Sequence, residues 1–130
     1  YDGEIRYTDE HVGRLLDAIR KRGLYERAAI VLTADHGEGL GQHGWLYHTR
    51  VYEEQLAVPL IVRLPGQAPR RVPALVSLID VLPTLAAQLQ LPLDAGERAQ
   101  FEGIDVLGSQ VREYAFAERV PHHQNDPDTS

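Results

Sequence analysis

The interpretation of the whole sequence starts from residues 35–50, which are Asp35-His36-Gly37-Glu38-Gly39-Leu40-Gly41-Gln42-His43-Gly44-Trp45-Leu46-Tyr47-His48-Thr49-Arg50. It contains four glycines and three of the six histidines of the chain. Neither a helix nor a strand tolerates this density of glycine well. The stretch therefore predicts a loop whose backbone must approach a neighbouring group closely.

The segments around this loop predict an α/β fold. A short apolar run at residues 28–33 and a second one at 58–64 have the pattern of strands that are buried on both faces. Apolar residues at helical spacing predict a helix over residues 3–22 that Gly23 ends, and another from Asp80, as its N-cap, to about Gln90. Residues 93–110 are expected to be irregular, and residues 112–118 to form a last strand. This order indicates one α/β unit, in which functional loops follow the carboxyl ends of strands.

Composition excludes several classes of protein. The chain has 130 residues, of which 43% are apolar and 25% charged, as in globular proteins. With 13 basic and 19 acidic residues its net charge is −6, which argues against nucleic acid as a partner because phosphate backbones attract basic surfaces. No apolar run approaches the roughly 20 residues of a membrane span. There is no cysteine, and so no disulfide framework.

Asp35 and His36 are candidate metal ligands because they follow a predicted strand directly. A carboxylate and an imidazole side by side can reach one cation; this pair suits Zn or Mn, whereas a site dominated by carboxylates suits Ca or Mg. An Asp-His-Gly triplet alone often only forms a turn. His43 and His48 in the same loop favour the functional interpretation, since a purely structural turn does not need them.

These motifs closely resemble those of the sulfatase family of the alkaline phosphatase superfamily. The resemblance extends over residues 1–91 and weakly to about residue 118. It rests on residues 35–44, His48, residues 52–54 and 58–62, an upstream helix over residues 1–16, and a downstream segment over residues 76–85 that contains Pro83-Thr84-Leu85.

The resemblance implies a fold, a domain boundary and a site. The fold would be part of an alkaline-phosphatase-like sheet flanked by helices, and it would be incomplete. Residues 1–118 would be the carboxyl-terminal part of the catalytic domain, and residues 119–130 a disordered tail. Asp35 and His36 would bind a divalent cation (Ca, Mg, Mn or Zn). His48 would contact the sulfate or phosphate oxygens of the substrate, while His43 would either reach the anion, cap a helix N-terminus or serve in loop packing. The family resemblance also leads us to expect a periplasmic or secreted protein.

The nucleophile of the family has no counterpart in this sequence. It is a formylglycine made from Cys or Ser in a Cys/Ser-x-Pro-x-Arg motif, and this chain has no cysteine and no matching serine. One Asp and one His are also too few for a catalytic metal site, which generally has three protein ligands or more. We therefore expect the chain to be a piece of a longer enzyme, with formylglycine on the missing part, and to be inactive alone. Exposed strand edges predict self-association.

Three functions remain open. The first is a metal-dependent sulfuric ester hydrolase. The second is a phosphoryl-transfer enzyme of the same superfamily, such as a phosphoethanolamine or phosphoglycerol transferase or a phosphonate monoester hydrolase, which His36 and His48 would also suit. The third is a non-enzymatic binding module. The identity of the nucleophile would separate the first two, and loss of activity on changing Asp35 and His36 would exclude the third.

Overall fold

The computed structural model describes residues 1–119 and has the mixed α/β composition that the sequence predicts. It divides into two compact units. The first comprises residues 1–32 and 61–69, and the second comprises residues 33–60 and the chain from Arg70 onward. The predicted tail at 119–130 lies, beyond its first residue, outside the described residues. Within residues 1–119, no helix is both long and apolar enough to cross a membrane.

The first unit contains the predicted long helix. Helix α1 spans Asp2–Lys21, with acidic side chains in its first turn and basic ones in its last, as the helix dipole favours. It ends as predicted at Gly23, whose φ of +67° is in the left-handed region. The amide of Gly23 donates to the carbonyl of Arg20 (2.9 Å) and the amide of Leu24 to that of Ile19 (3.1 Å), the two hydrogen bonds of a Schellman motif.

Both predicted strands are present, but they are less buried than their apolar sequences predict. Strand β1 spans Ile30–Thr33 and is hydrogen-bonded to the later strand β4, Leu60–Arg63, in a two-stranded sheet. Leu32 is 39% exposed and Ile61 60% exposed. The prediction of burial on both faces was therefore wrong for the described residues, because a sheet of two strands has too few neighbours to cover it.

The second unit contains the glycine-rich loop and three short helices. The loop includes an antiparallel hairpin of β2, Gly39–Leu40, and β3, Leu46–Tyr47. Helix α2, Glu53–Leu56, follows it, and α3 spans Val81–Gln88, close to its predicted extent. Helix α4, Ala95–Arg98, lies where irregular chain was expected. Its signal was present in the sequence as a capping box, since the Asp94 side chain accepts from the Glu97 amide and the Glu97 side chain from the Asp94 amide.

Two further predictions need correction in this unit. Asp80 is the N-cap residue of α3 by position, as predicted, but its side chain makes no capping hydrogen bond to that helix, and a 3₁₀ turn, Leu78–Asp80, precedes it. The Asp80 carboxylate instead accepts hydrogen bonds from the amides of Ser77 (2.8 Å) and Ile104 (2.9 Å) and pairs with Arg112. Residues 112–118 form no strand, since no described segment runs beside them to pair with.

Candidate functional site

Helix α2 holds the start of the glycine-rich loop in place. The amide of Gly37 donates to the carbonyl of Gln55 at 2.8 Å. A Cβ atom on Gly37 would lie 2.1 Å from the carbonyl oxygen of Glu54, so only glycine fits there. The predicted close approach of backbone is therefore present, and its partner is the helix that follows the loop.

Gln55 fixes the other end of the loop from within. Its side chain is 2% exposed, and its Oε1 accepts a hydrogen bond from the amide of Arg50 at 2.7 Å. A glutamine on a short helix is ordinarily exposed, so its residue type alone does not indicate that it is buried and holds the loop. The sequence pattern therefore did not predict this role of Gln55.

Asp35 and His36 lie together beyond β1, as predicted. The distance from His36 Nε2 to Asp35 Oδ2 is 3.7 Å, too long for a hydrogen bond. Two ligands bound at about 2.1 Å to a tetrahedral cation lie about 3.4 Å apart, so this separation is close to what a shared ion requires. The Asp35 side chain is 90% exposed and thus accessible.

The tautomer of His36 suits a metal ligand. Its Nδ1 lies 2.9 Å from the carbonyl oxygen of Gly37. Because a carbonyl oxygen can only accept, Nδ1 carries the proton and Nε2 keeps its lone pair. Metal-bound histidines are usually held in this way. Within residues 1–119, however, no group of three or more acidic or histidine side chains could hold an ion, so Asp35 and His36 alone could supply only part of a metal site.

His48 lies against this pair. Its ring stacks on that of His36, with centroids 4.1 Å apart and planes inclined by 22°. Its Nδ1 is 3.2 Å from Oε2 of Glu38. The hairpin thus brings together two histidines that are twelve positions apart in the sequence.

His43 lies elsewhere in the loop. It has a φ of +56°, and its ring stacks on Tyr52 with centroids 4.3 Å apart. Its Nε2 is 3.7 Å from Oε2 of Glu54. These contacts favour the loop-packing alternative, and a contact of His43 with the substrate anion stays a prediction.

A cleft of about 1380 Å³ opens beside the site. Asp35, His36 and His48 all line it. So do Trp45 and Arg50, whose guanidinium lies 4.1 Å from the centre of the Trp45 ring. Trp45 therefore packs against Arg50 of the same loop and also lines the cleft.

Comparison with known proteins agrees with the motifs. The family model described as Sulfatase matches residues 1–91. The chain is 37% identical to arylsulfatase K of Bos taurus over 87 residues, which cover 66% of this chain and 16% of that protein. It is 36% identical to choline-sulfatase of Rhizobium meliloti over 86 residues (66% and 17%). It is also 36% identical to N-acetylglucosamine-6-O-sulfatase of Bacteroides thetaiotaomicron over 98 residues (72% and 18%).

These matches place the α/β elements and the loop after β1 in a class of hydrolases. The chain belongs to the sulfatase family. It spans about a sixth of the length of the relatives that it matches.

Proposed function

We propose that this chain is part of a metal-dependent sulfuric ester hydrolase, in which Asp35 and His36 are metal ligands and His48 contacts the substrate. The observation that carries the proposal is the convergence of these three side chains on one cleft in a chain of the sulfatase family. The nucleophile, a formylglycine, and the other metal ligands would come from the part of the enzyme outside this chain.

The three side chains would have separate roles. A divalent cation at Asp35 and His36 would supply Lewis-acid polarisation of a sulfate oxygen. Asp35 offers an exposed carboxylate whose Oδ1 accepts a hydrogen bond from the His36 amide, and His36 offers its Nε2 while its Nδ1 is held by the Gly37 carbonyl. The protonated ring of His48 would donate a hydrogen bond from Nε2 to a sulfate oxygen and stabilise the negative charge that develops in the transition state.

The test uses the whole protein that carries this segment, assayed with an aryl sulfate such as 4-nitrophenyl sulfate. A chelator should abolish turnover, and one of Ca, Mg, Mn or Zn should restore it. His48→Ala should lower kcat by about 10²- to 10³-fold, the range for loss of one transition-state hydrogen bond. Arg14→Ala, which removes an exposed ion pair on α1, is the control and should leave activity unchanged.

Two outcomes would point to the other functions. Faster turnover of a phosphate ester or a phosphonate monoester than of the sulfate would favour the phosphoryl-transfer enzyme. An activity that survives the double substitution Asp35→Ala, His36→Ala would contradict a metal site at these residues, and the binding module would then be the better interpretation.

A further inference from the structure

Glu38 meets His48 because of the register of the hairpin. Gly39 is paired with Tyr47 across β2 and β3, so the next positions outward on the two strands are Glu38 and His48. Oε2 of Glu38 and Nδ1 of His48 are 3.2 Å apart. Residue spacing alone does not predict this contact, which depends on the length of the turn between the strands.

The Glu38 carboxylate is unusual for a loop residue. Its side chain is 28% exposed. Its Oε1 is buried and accepts no hydrogen bond from any described residue. Burial of a carboxylate is unfavourable unless its charge is paired, and His48 is the partner that the structure gives it. Loop packing alone would be served better by an apolar side chain.

The contact determines which nitrogen of His48 faces a ligand. An ionised carboxylate only accepts hydrogen bonds, so Nδ1 of His48 must be the donor. Stacking on His36 fixes the plane of the ring at the same time. With Nδ1–H held by Glu38, Nε2 is the ring nitrogen that remains for a molecule in the cleft, and in the imidazolium form its N–H can donate to a sulfate oxygen.

We propose that Glu38 is a positioning residue of the site, which holds the His48 ring so that Nε2 meets a sulfate oxygen of the substrate. This inference rests on the proposed function of His48. The pair of His43 and Glu54 differs in geometry. There Nε2 of His43 faces Glu54 at 3.7 Å, beyond hydrogen-bond distance.

The experiment is a double-mutant cycle in the whole protein with 4-nitrophenyl sulfate. Glu38→Ala should lower kcat by about tenfold to hundredfold, the cost of losing the partner that orients a functional histidine. Glu38→Gln keeps an accepting oxygen and should retain most of the activity. In the His48→Ala background, Glu38→Ala should have no further effect, because the residue that it positions is gone. Glu10→Gln on α1 is the control for loss of one acidic charge.

The remaining outcomes distinguish failure of the role proposed for Glu38 from failure of the proposed function. Additive losses in the cycle, or full activity of Glu38→Ala beside an impaired His48→Ala, would overturn the role of Glu38 and leave the proposed function standing. Full activity of His48→Ala would overturn both. If Glu38→Ala does not fold, Glu38→Asp replaces it in the cycle, since it keeps the charge but withdraws the acceptor from Nδ1. An unimpaired Glu38→Asp would overturn the proposal.

Discussion

Asp80 and Arg112 form the most deeply buried ion pair in the described part of the chain. The Asp80 side chain has no exposed surface, and Arg112 reaches it through both Nε and Nη2. Arg112→Met should destabilise the protein by about 3–5 kcal/mol, because it leaves a buried carboxylate without its counter-charge. The free energy of unfolding from chemical denaturation of the whole protein would measure this. Arg14→Met, at an exposed ion pair, should change it by less than about 1 kcal/mol.

The same carboxylate should make stability depend on pH. Burial raises the pKa of Asp80, but hydrogen bonds from Arg112 and the amides of Ser77 and Ile104 outweigh it and hold that pKa below its ordinary value. The folded state thus favours the ionised form. Its contribution to stability is complete above the unfolded pKa of about 3.9 and is lost as the pH falls from there through the lower folded value.

The check is the free energy of unfolding as a function of pH, compared with that of Asp80→Asn. The substitution should cost stability at neutral pH, and the difference from the parent protein should shrink as the pH falls below about 4. Asp9→Asn, at an exposed position on α1, is the control and should give a curve parallel to that of the parent. A difference between Asp80→Asn and the parent that does not change with pH would contradict the assignment.

Among the elements, the glycine-rich loop should be the least tolerant of change. Gly37→Ala would place Cβ against the carbonyl of Glu54, and the loop would have to move away from α2. We expect a loss of about 1–3 kcal/mol in stability, as for other overpacked sites, together with a fall in activity as Asp35 and His36 shift. The comparison is Gly13→Ala on α1, where a Cβ meets no atom within 4 Å. That change should stabilise the protein by about 0.5–1 kcal/mol, and equal effects of the two would refute the argument.

Elements built from local patterns were predictable from the sequence, and contacts between distant segments were not. Apolar residues at helical spacing predicted α1 and α3, and short unbroken apolar runs predicted both strands of the sheet. Each of these patterns lies within one segment of the sequence. The glycine-rich loop likewise contains Asp35, His36 and His48 within one segment, and the three side chains line one cleft in the structure. The pairing of Asp80 with Arg112 spans 32 residues, and that of Glu38 with His48 depends on hairpin register. Such contacts follow from the path of the whole chain, on which residue spacing carries no information.

At the scale of the whole molecule, the 130-residue chain should not hydrolyse sulfate esters alone. Its residues 1–119 contain no group of three or more acidic or histidine side chains that could hold a cation, whereas catalytic sites usually have three protein ligands or more, and its sequence contains no Cys/Ser-x-Pro-x-Arg motif. Purified chain, supplied in turn with Ca, Mg, Mn and Zn, should turn over no 4-nitrophenyl sulfate above the buffer rate. Metal-dependent turnover that Asp35→Ala abolishes would contradict this prediction.

The isolated chain should also self-associate. Leu64, Pro83 and Ala86 are the buried apolar side chains that the structure records for the described part, while Leu32 and Ile61 on the two-stranded sheet remain exposed. A sheet with open edges and an exposed apolar face pairs readily with another copy. The mass measured by light scattering should therefore rise with concentration, and Ile61→Lys should reduce it by placing a charge on the exposed face. Glu10→Lys, which changes charge at an exposed position on α1, is the control, and a sharp monomer peak at high concentration would refute the expectation.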